Sequence, residues 1–214
     1  MYEVKGVVSA GKEARVYWGR SFDKKDLAVK IYLTSSAEFR RGIYKYLQAD
    51  PRFSKKIPTS TRKIYSLWAK KEFSNYVKMF EAGISVPKPI AVYENILVME
   101  FIGVDGKPAP LLKDLDLSLE ELKEVFNYLV EDLRKMVLKA RLVHGDFSEY
   151  NVMVWEGKHY IIDVSQAVSL DHPNALEYLL RDLANIVKFF SKQGLPVPSP
   201  TELLDSIGLR DYFS

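Results

Sequence analysis

The chain has 214 residues, of which 47% are hydrophobic and 28% charged, a composition typical of a globular protein with a buried core. It contains no cysteine, which excludes disulfide bonds, thiolate catalysis and cysteine-based zinc sites and predicts a reducing, cytoplasmic setting. Because there are three histidines and no apolar run long enough to span a bilayer, the sequence predicts neither a histidine-rich metal site nor a membrane partner.

The net charge of +3 conceals one strongly basic segment. Residues Thr34–Ser66 contain eight lysines and arginines against two acidic residues, a net charge of +6, so the remainder of the chain carries −3. This excess suggests an anionic partner, with a solvated surface loop as the alternative. The segment holds Pro51 and Pro58 and is expected to be a flexible insert with a short helix near Ala37–Leu47.

The first half of the chain predicts a small antiparallel sheet and one long helix. Runs rich in β-branched and aromatic residues predict three strands, at Tyr2–Ser9, Ala14–Arg20 and Leu27–Leu33. Apolar residues at helical spacing predict a helix over Tyr65–Ala82, ended by Gly83. The runs Ile90–Tyr93 and Ile96–Ile102 predict a hairpin.

The second half is predicted to be mostly helical and follows a glycine- and proline-rich hinge at Gly103–Pro110. A capping box at Ser118–Glu121 opens a long amphipathic helix. The later elements are a hairpin of Val152–Trp155 with His159–Asp163, a helix over about Asn174–Gln193 and a final helix capped by Ser199. We therefore expect a bilobal α+β architecture, with a sheet lobe at 1–102 (the flexible basic insert being 34–66) and a helical lobe at 103–214.

The loop LVHGDFSEYN, Leu142–Asn151, carries an acid and an amide at a spacing that suits phosphoryl transfer. That reaction needs a group that positions the acceptor, oxygen ligands for Mg²⁺ and a cation on the phosphates. Asp146 supplies the first, while Asn151 and Asp163, which ends the next hairpin strand, supply two metal ligands. The alternative is a polar loop that only joins a helix to a hairpin.

Lys30 is the candidate phosphate-binding cation, because it interrupts an otherwise apolar strand. Glu72 on the following helix is its expected partner and Glu81 is a rival, whereas an edge-strand lysine facing water would need neither. The turn after the first strand contains Ser9, Gly11 and Lys12, whose backbone amides could hold phosphate. An ordinary hairpin turn is equally consistent with that short stretch.

The strand that enters the predicted hinge is the candidate adenine site. We expect backbone groups of Glu100 and Ile102 to bind the adenine, with Met99 behind it. The other residues assigned to the nucleotide pocket are Ala28, Met153 and Ile162. The alternative is a plain core strand, and the position along the chain is what favours the nucleotide.

In this order, the motifs resemble those of the RIO atypical kinases. The stretches that carry the resemblance are SAGKEARVY, AVKIY, WAKKEF, MEFIG, LVHGDFSEYNVMV and IIDVSQAVSLDHP, and the pairing of SAGKEA with IIDVSQ is similar to the Rio-one-type branch. The resemblance implies a protein kinase-like fold that uses ATP and Mg²⁺, with Mn²⁺ as an alternative ion. It implies that Asp146 is the proton acceptor, that Asn151 and Asp163 hold the metal, and that Glu72 orients Lys30.

The resemblance also implies a biological setting and a second activity. Asp163 would accept phosphate transiently as an aspartyl-phosphate, so that ATP hydrolysis, rather than peptide phosphorylation, would be a principal activity. The implied partner is the pre-ribosomal small subunit or its RNA, contacted through the basic segment 34–66, which could instead contact ATP or be autophosphorylated. The alternatives are a small-molecule kinase of the aminoglycoside-phosphotransferase type and a non-catalytic assembly factor that ATP clamps onto its partner.

Overall fold

In the computed structural model, which describes residues 3–33 and 37–212, the chain begins with a five-stranded antiparallel sheet. Its strands are β1 (Glu3–Ala10), β2 (Ala14–Arg20), β3 (Asp26–Tyr32), β4 (Pro89–Tyr93) and β5 (Ile96–Glu100), in the order β1-β2-β3-β5-β4. β3 and β5 lie in the interior of the sheet, and β3 is also its most buried strand. The predicted strands and hairpin are confirmed, with ends shifted by one or two residues, except that Tyr2, the predicted first residue of β1, lies outside the described residues.

Two helices cover the buried side of the sheet. The first, α1 (Ala37–Gln48), forms where a short helix was predicted, and α2 spans Thr61–Glu81. α2 begins four residues before its predicted start and ends before Gly83, whose φ of +72° suits a glycine. Residues 34–36 lie outside the described ranges, and the flexibility of the insert stays a prediction.

The predicted hinge is a tight hairpin that is held against the sheet. It consists of β6 (Gly103–Val104) and β7 (Lys107–Pro108). Gly103 has a φ of +139°, and a Cβ atom there would lie 2.2 Å from the carbonyl oxygen of Lys107. A Cβ atom on Gly106 would lie 2.6 Å from the ring of Trp18 on β2. Both glycines are therefore required by close approach, and a hinge motion at this hairpin stays a prediction.

The second lobe is mainly helical, as predicted. Its elements are α3 (Leu119–Lys135), which continues as one π-helical turn (Met136–Ala140), β8 (Leu142–Val143), β9 (Val152–Trp155), β10 (Lys158–Ile161), β11 (Val168–Ser169), α4 (Ala175–Lys192) and α5 (Pro200–Ser206). The capping boxes that open α3 and α5 are both formed, at Ser118 and Ser199. β8 pairs with β11 and β9 with β10, so two small sheets bring the loops that follow β8 and β10 together.

One hydrophobic core joins the two lobes. It includes Tyr76 and Met79 of α2 and Met99 of β5, and it continues into Phe147 and Leu183 of the helical lobe. A second, smaller cluster fixes α1 to α2. Within the ranges that the structure describes, no helix is long and apolar enough to cross a membrane.

Candidate functional site

A cleft with a volume of about 730 Å³ lies between the sheet and the helical lobe. Its walls include eleven of the residues selected from the sequence: Ser9, Gly11, Lys12, Ala28, Lys30, Met99, Glu100, Ile102, Met153, Ile162 and Asp163. Glu72 is fully buried behind Lys30, whereas Asp146 and Asn151 lie in the neighbouring loop after β8. The cleft thus brings together groups that are separated by up to 154 positions in the chain.

Lys30 is held between two carboxylates. Its Nζ atom lies 2.8 Å from Glu72 Oε1 and 3.0 Å from Asp163 Oδ1, and its side chain is 10% exposed. Glu72, rather than the rival Glu81, is therefore its helix partner. Burial opposes the charge of Lys30, but Asp163 and Glu72 outweigh burial and hold its pKa well above the usual value. The cation is consequently retained at the deep end of the cleft.

Glu72 is enclosed by more than one donor. Tyr32 of β3 donates a hydrogen bond from its hydroxyl to the second oxygen of Glu72. Burial and the nearby Asp163 raise the pKa of Glu72, whereas Lys30 and Tyr32 act in the opposite direction. Sequence analysis did not select Tyr32, although it lies two positions after Lys30 on the same strand and so on the same face.

Asp163 stands in an unusual backbone conformation with its carboxylate half exposed to the cleft. Its φ is +57°, in the left-handed region, and 53% of its side chain is accessible. Its backbone N–H donates to the hydroxyl oxygen of Tyr76 at 2.9 Å, and Ser165 donates to its Oδ1 at 3.1 Å. Burial acts to raise the pKa of Asp163, but Lys30 prevails and lowers it. The side chain is therefore charged and accessible to a cation.

Asp146 and Asn151 are linked within one loop. Asn151 donates from Nδ2 to the backbone carbonyl of Asp146 at 2.6 Å, which leaves the amide oxygen of Asn151 as its metal-binding atom. The carbonyl of Asn151 accepts the N–H of Ile162 at 2.8 Å, so Asn151 lies beside the residue that precedes Asp163. One carboxylate and one amide oxygen suit Mg²⁺, which keeps several water or phosphate ligands. The two predicted metal ligands are therefore adjacent in the fold.

The carboxylate of Asp146 is exposed and has one side-chain donor, Gln166 Nε2, at 2.9 Å from its Oδ2. Burial of part of the group, followed by the charge of Asp163, raises the pKa of Asp146. Glu13, in the turn between β1 and β2, also lines the cleft, and burial together with Asp163 raises its pKa. Neither Gln166 nor Glu13 was selected from the sequence, because nothing in the local pattern distinguishes them from surface residues.

The loop that carries Asp146 is anchored by α4. The buried carboxylate of Asp182 accepts the backbone N–H groups of Gly145 and Phe147, each at 2.8 Å, and Asn185 donates to the carbonyl of Phe147 at 2.9 Å. Burial raises the pKa of Asp182 to about 7. Sequence analysis missed this anchor. Its signal is a carboxylate on the apolar face of an amphipathic helix, a position where an acid needs buried partners.

The other end of the cleft offers backbone groups to a planar ring. The N–H of Glu100 donates to Lys88, and the carbonyl of Ile102 accepts from Ala109, both at 2.9 Å. A bound adenine would therefore use the carbonyl of Glu100 and the N–H of Ile102. Met153 lines the helical side of the same cleft. This acceptor and this donor lie two residues apart at the rim of an apolar slot, an arrangement that matches the edge of an adenine ring.

Comparison with known proteins decides the family. The model of the RIO domain family matches residues 15–203. The chain belongs to the RIO domain family. Curated relatives include the serine/threonine-protein kinase RIO1 of Caenorhabditis elegans, 43% identical over 97% of this chain and 41% of its own length, and that of Homo sapiens, 40% identical over 96% and 36%. These identities place the chain in the Rio-one-type branch, and the chain spans about two fifths of each of these relatives.

Solved structures agree with the family and the fold. The Rio2 kinase of Chaetomium thermophilum, in a complex with ADP, Mg²⁺ and phosphoaspartate, superposes with a TM-score of 0.70 at 26% identity, over 97% of this chain and 62% of that one. The predicted fold class, a bilobal kinase-like α+β fold with an antiparallel sheet lobe and a helical lobe, is confirmed.

Proposed function

We propose that this RIO domain is an ATP-dependent serine/threonine protein kinase with ATPase activity. The observation that carries the proposal is the position of Lys30, bonded at once to Glu72 and to the cleft-facing Asp163. Such a lysine, with a metal-binding carboxylate beside it, is what the transfer of a γ-phosphoryl group requires. The kinase names of the RIO1 relatives support the same activity.

Each residue of the cleft has a distinct role in this proposal. The backbone of Glu100 and Ile102 binds the adenine, Lys30 binds phosphate oxygens, and Asn151 and Asp163 hold Mg²⁺. The magnesium ion neutralises charge on the phosphates and orients them for in-line transfer. Ser9, near the end of β1, and Gly11 and Lys12, in the turn after it, cover the phosphates. The N–H of Gly11 already donates to the carbonyl of Ala14 at 3.0 Å, so this amide is not free to bind phosphate.

Asp146 orients the hydroxyl or the water that attacks the γ-phosphorus atom and takes up its proton. An ordinary aspartate is a weak base at neutral pH, and burial and Asp163 raise the pKa of Asp146 towards a more useful value. The hydrogen bond from Gln166 fixes one carboxylate oxygen, so the other faces the acceptor. Orientation is therefore its main contribution.

Asp163 is proposed to accept the phosphoryl group transiently. Its accessible carboxylate and the phosphoaspartate in the related Rio2 kinase support this step. An oxygen of Asp163 would bond to the γ-phosphorus as the bond to ADP breaks, and water would then release inorganic phosphate. Borohydride reduction after incubation with MgATP, followed by mass spectrometry, should reveal homoserine at position 163. Unmodified aspartate at 163 alongside continuing ATP hydrolysis would contradict the step.

The activity itself is tested with γ-labelled ATP. We expect magnesium-dependent release of labelled phosphate and labelling of serine in protein substrates, both lost in Lys30→Ala. A panel of small alcohols serves as the control, because efficient transfer to one of them would favour the small-molecule kinase instead. Binding of ATP without any turnover would favour the non-catalytic clamp.

A role in small ribosomal subunit maturation, in the cytoplasm, is part of the proposal. Its support is the basic segment 34–66, in which Arg41, Lys45, Lys55 and Lys63 are exposed. Exposed cations of this density suit the phosphate backbone of RNA. The segment lies between Lys30 and Glu72 in the chain, so RNA bound there would lie close to the elements that form the cleft.

A further inference from the structure

The loop after Asp163, residues 164–167, is bound through its backbone carbonyls by side chains that come from the other lobe. Lys71 of α2 is completely buried, and its Nζ donates to the carbonyls of Ser165 at 2.7 Å and Ala167 at 2.5 Å. Lys71 directly precedes Glu72 in α2. The helix whose Glu72 pairs with Lys30 thus also binds the loop that follows Asp163.

A second grip on the same loop comes from Asn75, one helical turn further along α2. Its Nδ2 donates to the carbonyls of Val164 at 2.8 Å and Ala167 at 3.1 Å. The oxygen of its amide accepts from Arg52 Nη1 at 2.8 Å, which fixes the orientation of the amide. Arg52 also donates directly to the carbonyl of Ala167, at 3.2 Å.

Arg52 is itself fixed by Asp50, whose side chain is fully buried. The guanidinium and the carboxylate form a fork, with Nη2 to Oδ2 at 2.6 Å and Nε to Oδ1 at 2.9 Å. Asp50 and Arg52 both belong to the segment Thr34–Ser66, which sequence analysis treated as a flexible basic insert. Asp50 and Arg52 are therefore bound to other parts of the folded protein and do not belong to a free surface loop.

The loop 164–167 determines the positions of two groups of the site, the carboxylate of Asp163 and the side chain of Gln166. Asp163 directly precedes it, and Gln166 within it donates to Asp146 at 2.9 Å. A shift of the loop would therefore displace the metal-binding carboxylate and the partner of Asp146 together. Buried ion pairs contribute little to stability compared with apolar residues of the same size, so stability alone is a weak reason for this arrangement.

We propose that Arg52, acting through Asn75 and the carbonyl of Ala167, is a positioning residue that sets Asp163 for magnesium and Gln166 for Asp146. This inference rests on the proposed function, since it assigns Arg52 to the magnesium–nucleotide site. An arginine is required because its three separate nitrogens bond Asp50, Asn75 and Ala167 from different sides of one planar group, whereas all the donors of a lysine lie on one nitrogen.

The test compares Arg52→Lys with Arg62→Lys. Arg62 lies in the same basic segment and also pairs with a carboxylate, since its Nη2 lies 2.7 and 2.9 Å from the two oxygens of Glu94. Unlike Arg52, it is exposed, and it lies ten residues before Glu72 in α2. Calorimetry measures two quantities for each protein. The first is the affinity for ATP without metal, and the second is the magnesium concentration at which ATP binding is strengthened by half of its maximum. Hydrogen exchange of the amides of 163–167 is followed without any ligand.

We expect Arg52→Lys to bind metal-free ATP within about twofold of the wild type. We also expect it to need about tenfold more magnesium, the usual scale for loss of an outer-shell partner, and to exchange the amides of 163–167 faster. Arg62→Lys should match the wild type in all three readings. An unchanged magnesium requirement in a folded Arg52→Lys, or an equal change in Arg62→Lys, would overturn the inference.

Asn75→Asp is the second variant, and it covers the case in which Arg52→Lys fails to fold. It keeps an oxygen for Arg52 but removes the donor to the carbonyls of Val164 and Ala167, so it should also raise the magnesium requirement. A normal requirement in Asn75→Asp would refute the inference. If the wild type shows no magnesium-dependent ATP binding, both the proposed function and this inference are refuted. If the wild type binds normally and the variants are unaffected, the inference alone is refuted.

Discussion

Asp146 is exposed in the loop that follows β8, where Gln166 donates a hydrogen bond to its carboxylate. We predict that Asp146→Asn binds MgATP as tightly as the wild type but loses turnover by roughly 10²–10⁴-fold, the usual contribution of a general base. Binding is expected to be unaffected because Asp146 is not among the residues that line the cleft. Steady-state ATP hydrolysis and calorimetry on the same preparation measure both quantities. Undiminished turnover would show that Asp146 takes no part in the reaction.

Two glycines offer a matched pair for testing backbone requirements. Gly103→Ala places a methyl group 2.2 Å from the carbonyl oxygen of Lys107 at a φ of +139°, so we expect a loss of roughly 1–3 kcal/mol in the free energy of unfolding. A methyl group on Gly42, within α1, would meet nothing within 4 Å beyond its chain neighbours and the backbone of its own helix, and alanine there should stabilise the protein by about 1 kcal/mol. Urea denaturation distinguishes the opposite signs. Stabilisation by Gly103→Ala would show that the hairpin does not hold this conformation.

On the scale of whole elements, α4 supports the loop that carries Asp146, because its Asp182 accepts two backbone N–H groups of that loop. Asp182→Asn replaces one acceptor oxygen by an amide donor facing a backbone N–H, and we expect a loss of about 1–3 kcal/mol of stability. Asp205→Asn is the control, because Asp205 forms an exposed ion pair with Arg210 and its loss should change stability little. Equal effects from the two variants would contradict the role of Asp182.

The pKa of Asp182 adds a pH signature to this comparison. Burial raises it from 3.8 to about 7 in the folded protein, so the native state binds a proton that the unfolded chain releases between about pH 4 and 7. The contribution of this group to stability is therefore complete below about pH 4 and declines as the pH rises through about 7. The advantage of the wild type over Asp182→Asn should shrink across that interval, as measured by urea denaturation at each pH. An advantage independent of pH would show that Asp182 is charged throughout.

Local sequence patterns predicted most helices and strands. The features that those patterns missed depend on contacts between residues far apart in the chain. The capping boxes at Ser118 and Ser199 and the glycine after α2 were identified because their signals lie within about four residues of each other. The start of α2 was misplaced, since its N-cap, Ser60, makes no side-chain capping bond. Arg52 was counted among the cations of a surface segment, because its contact with Ala167 spans 115 positions.

The candidate site was predictable for a different reason. Lys30 stands out as a lysine in an apolar strand, but Glu72, 42 residues further along the chain, does not differ in type from its own neighbours. Their selection rested on the order of several motifs along the chain and on the resemblance to one family. The groups that this order did not include, such as Tyr32, Tyr76 and Asp182, support the site through hydrogen bonds that only the folded chain reveals.

For the molecule as a whole, the distribution of charge provides a test of the proposed contact with RNA. Of the basic segment, Arg52 is used internally and Arg62 pairs with Glu94. Neutralising the exposed cations Arg41, Lys45, Lys55 and Lys63 to glutamine should reduce the slope of log affinity against log salt by about 3, at roughly 0.7 per contact with single strands. Filter binding over a series of salt concentrations measures that slope.

The control for this experiment neutralises four exposed lysines outside the segment, namely Lys123, Lys158, Lys188 and Lys192. The overall charge changes by the same amount in both variants, so a general electrostatic effect would alter both slopes equally. A slope that changes only with the segment supports it as the contact surface. Equal slopes in the two variants would contradict the RNA proposal without affecting the kinase proposal.

The continuous core between the lobes holds both walls of the cleft in place. We propose that this cleft binds MgATP through Lys30 and Asp163. Calorimetric titration of ATP with and without magnesium tests it most directly, on the wild type, Lys30→Ala, Asp163→Asn and the exposed control Lys70→Ala. We predict one site at which magnesium strengthens ATP binding, weaker binding in Lys30→Ala, no magnesium dependence in Asp163→Asn and no change in Lys70→Ala. Wild-type binding that is indifferent to magnesium, or equal binding by Lys30→Ala, would contradict it.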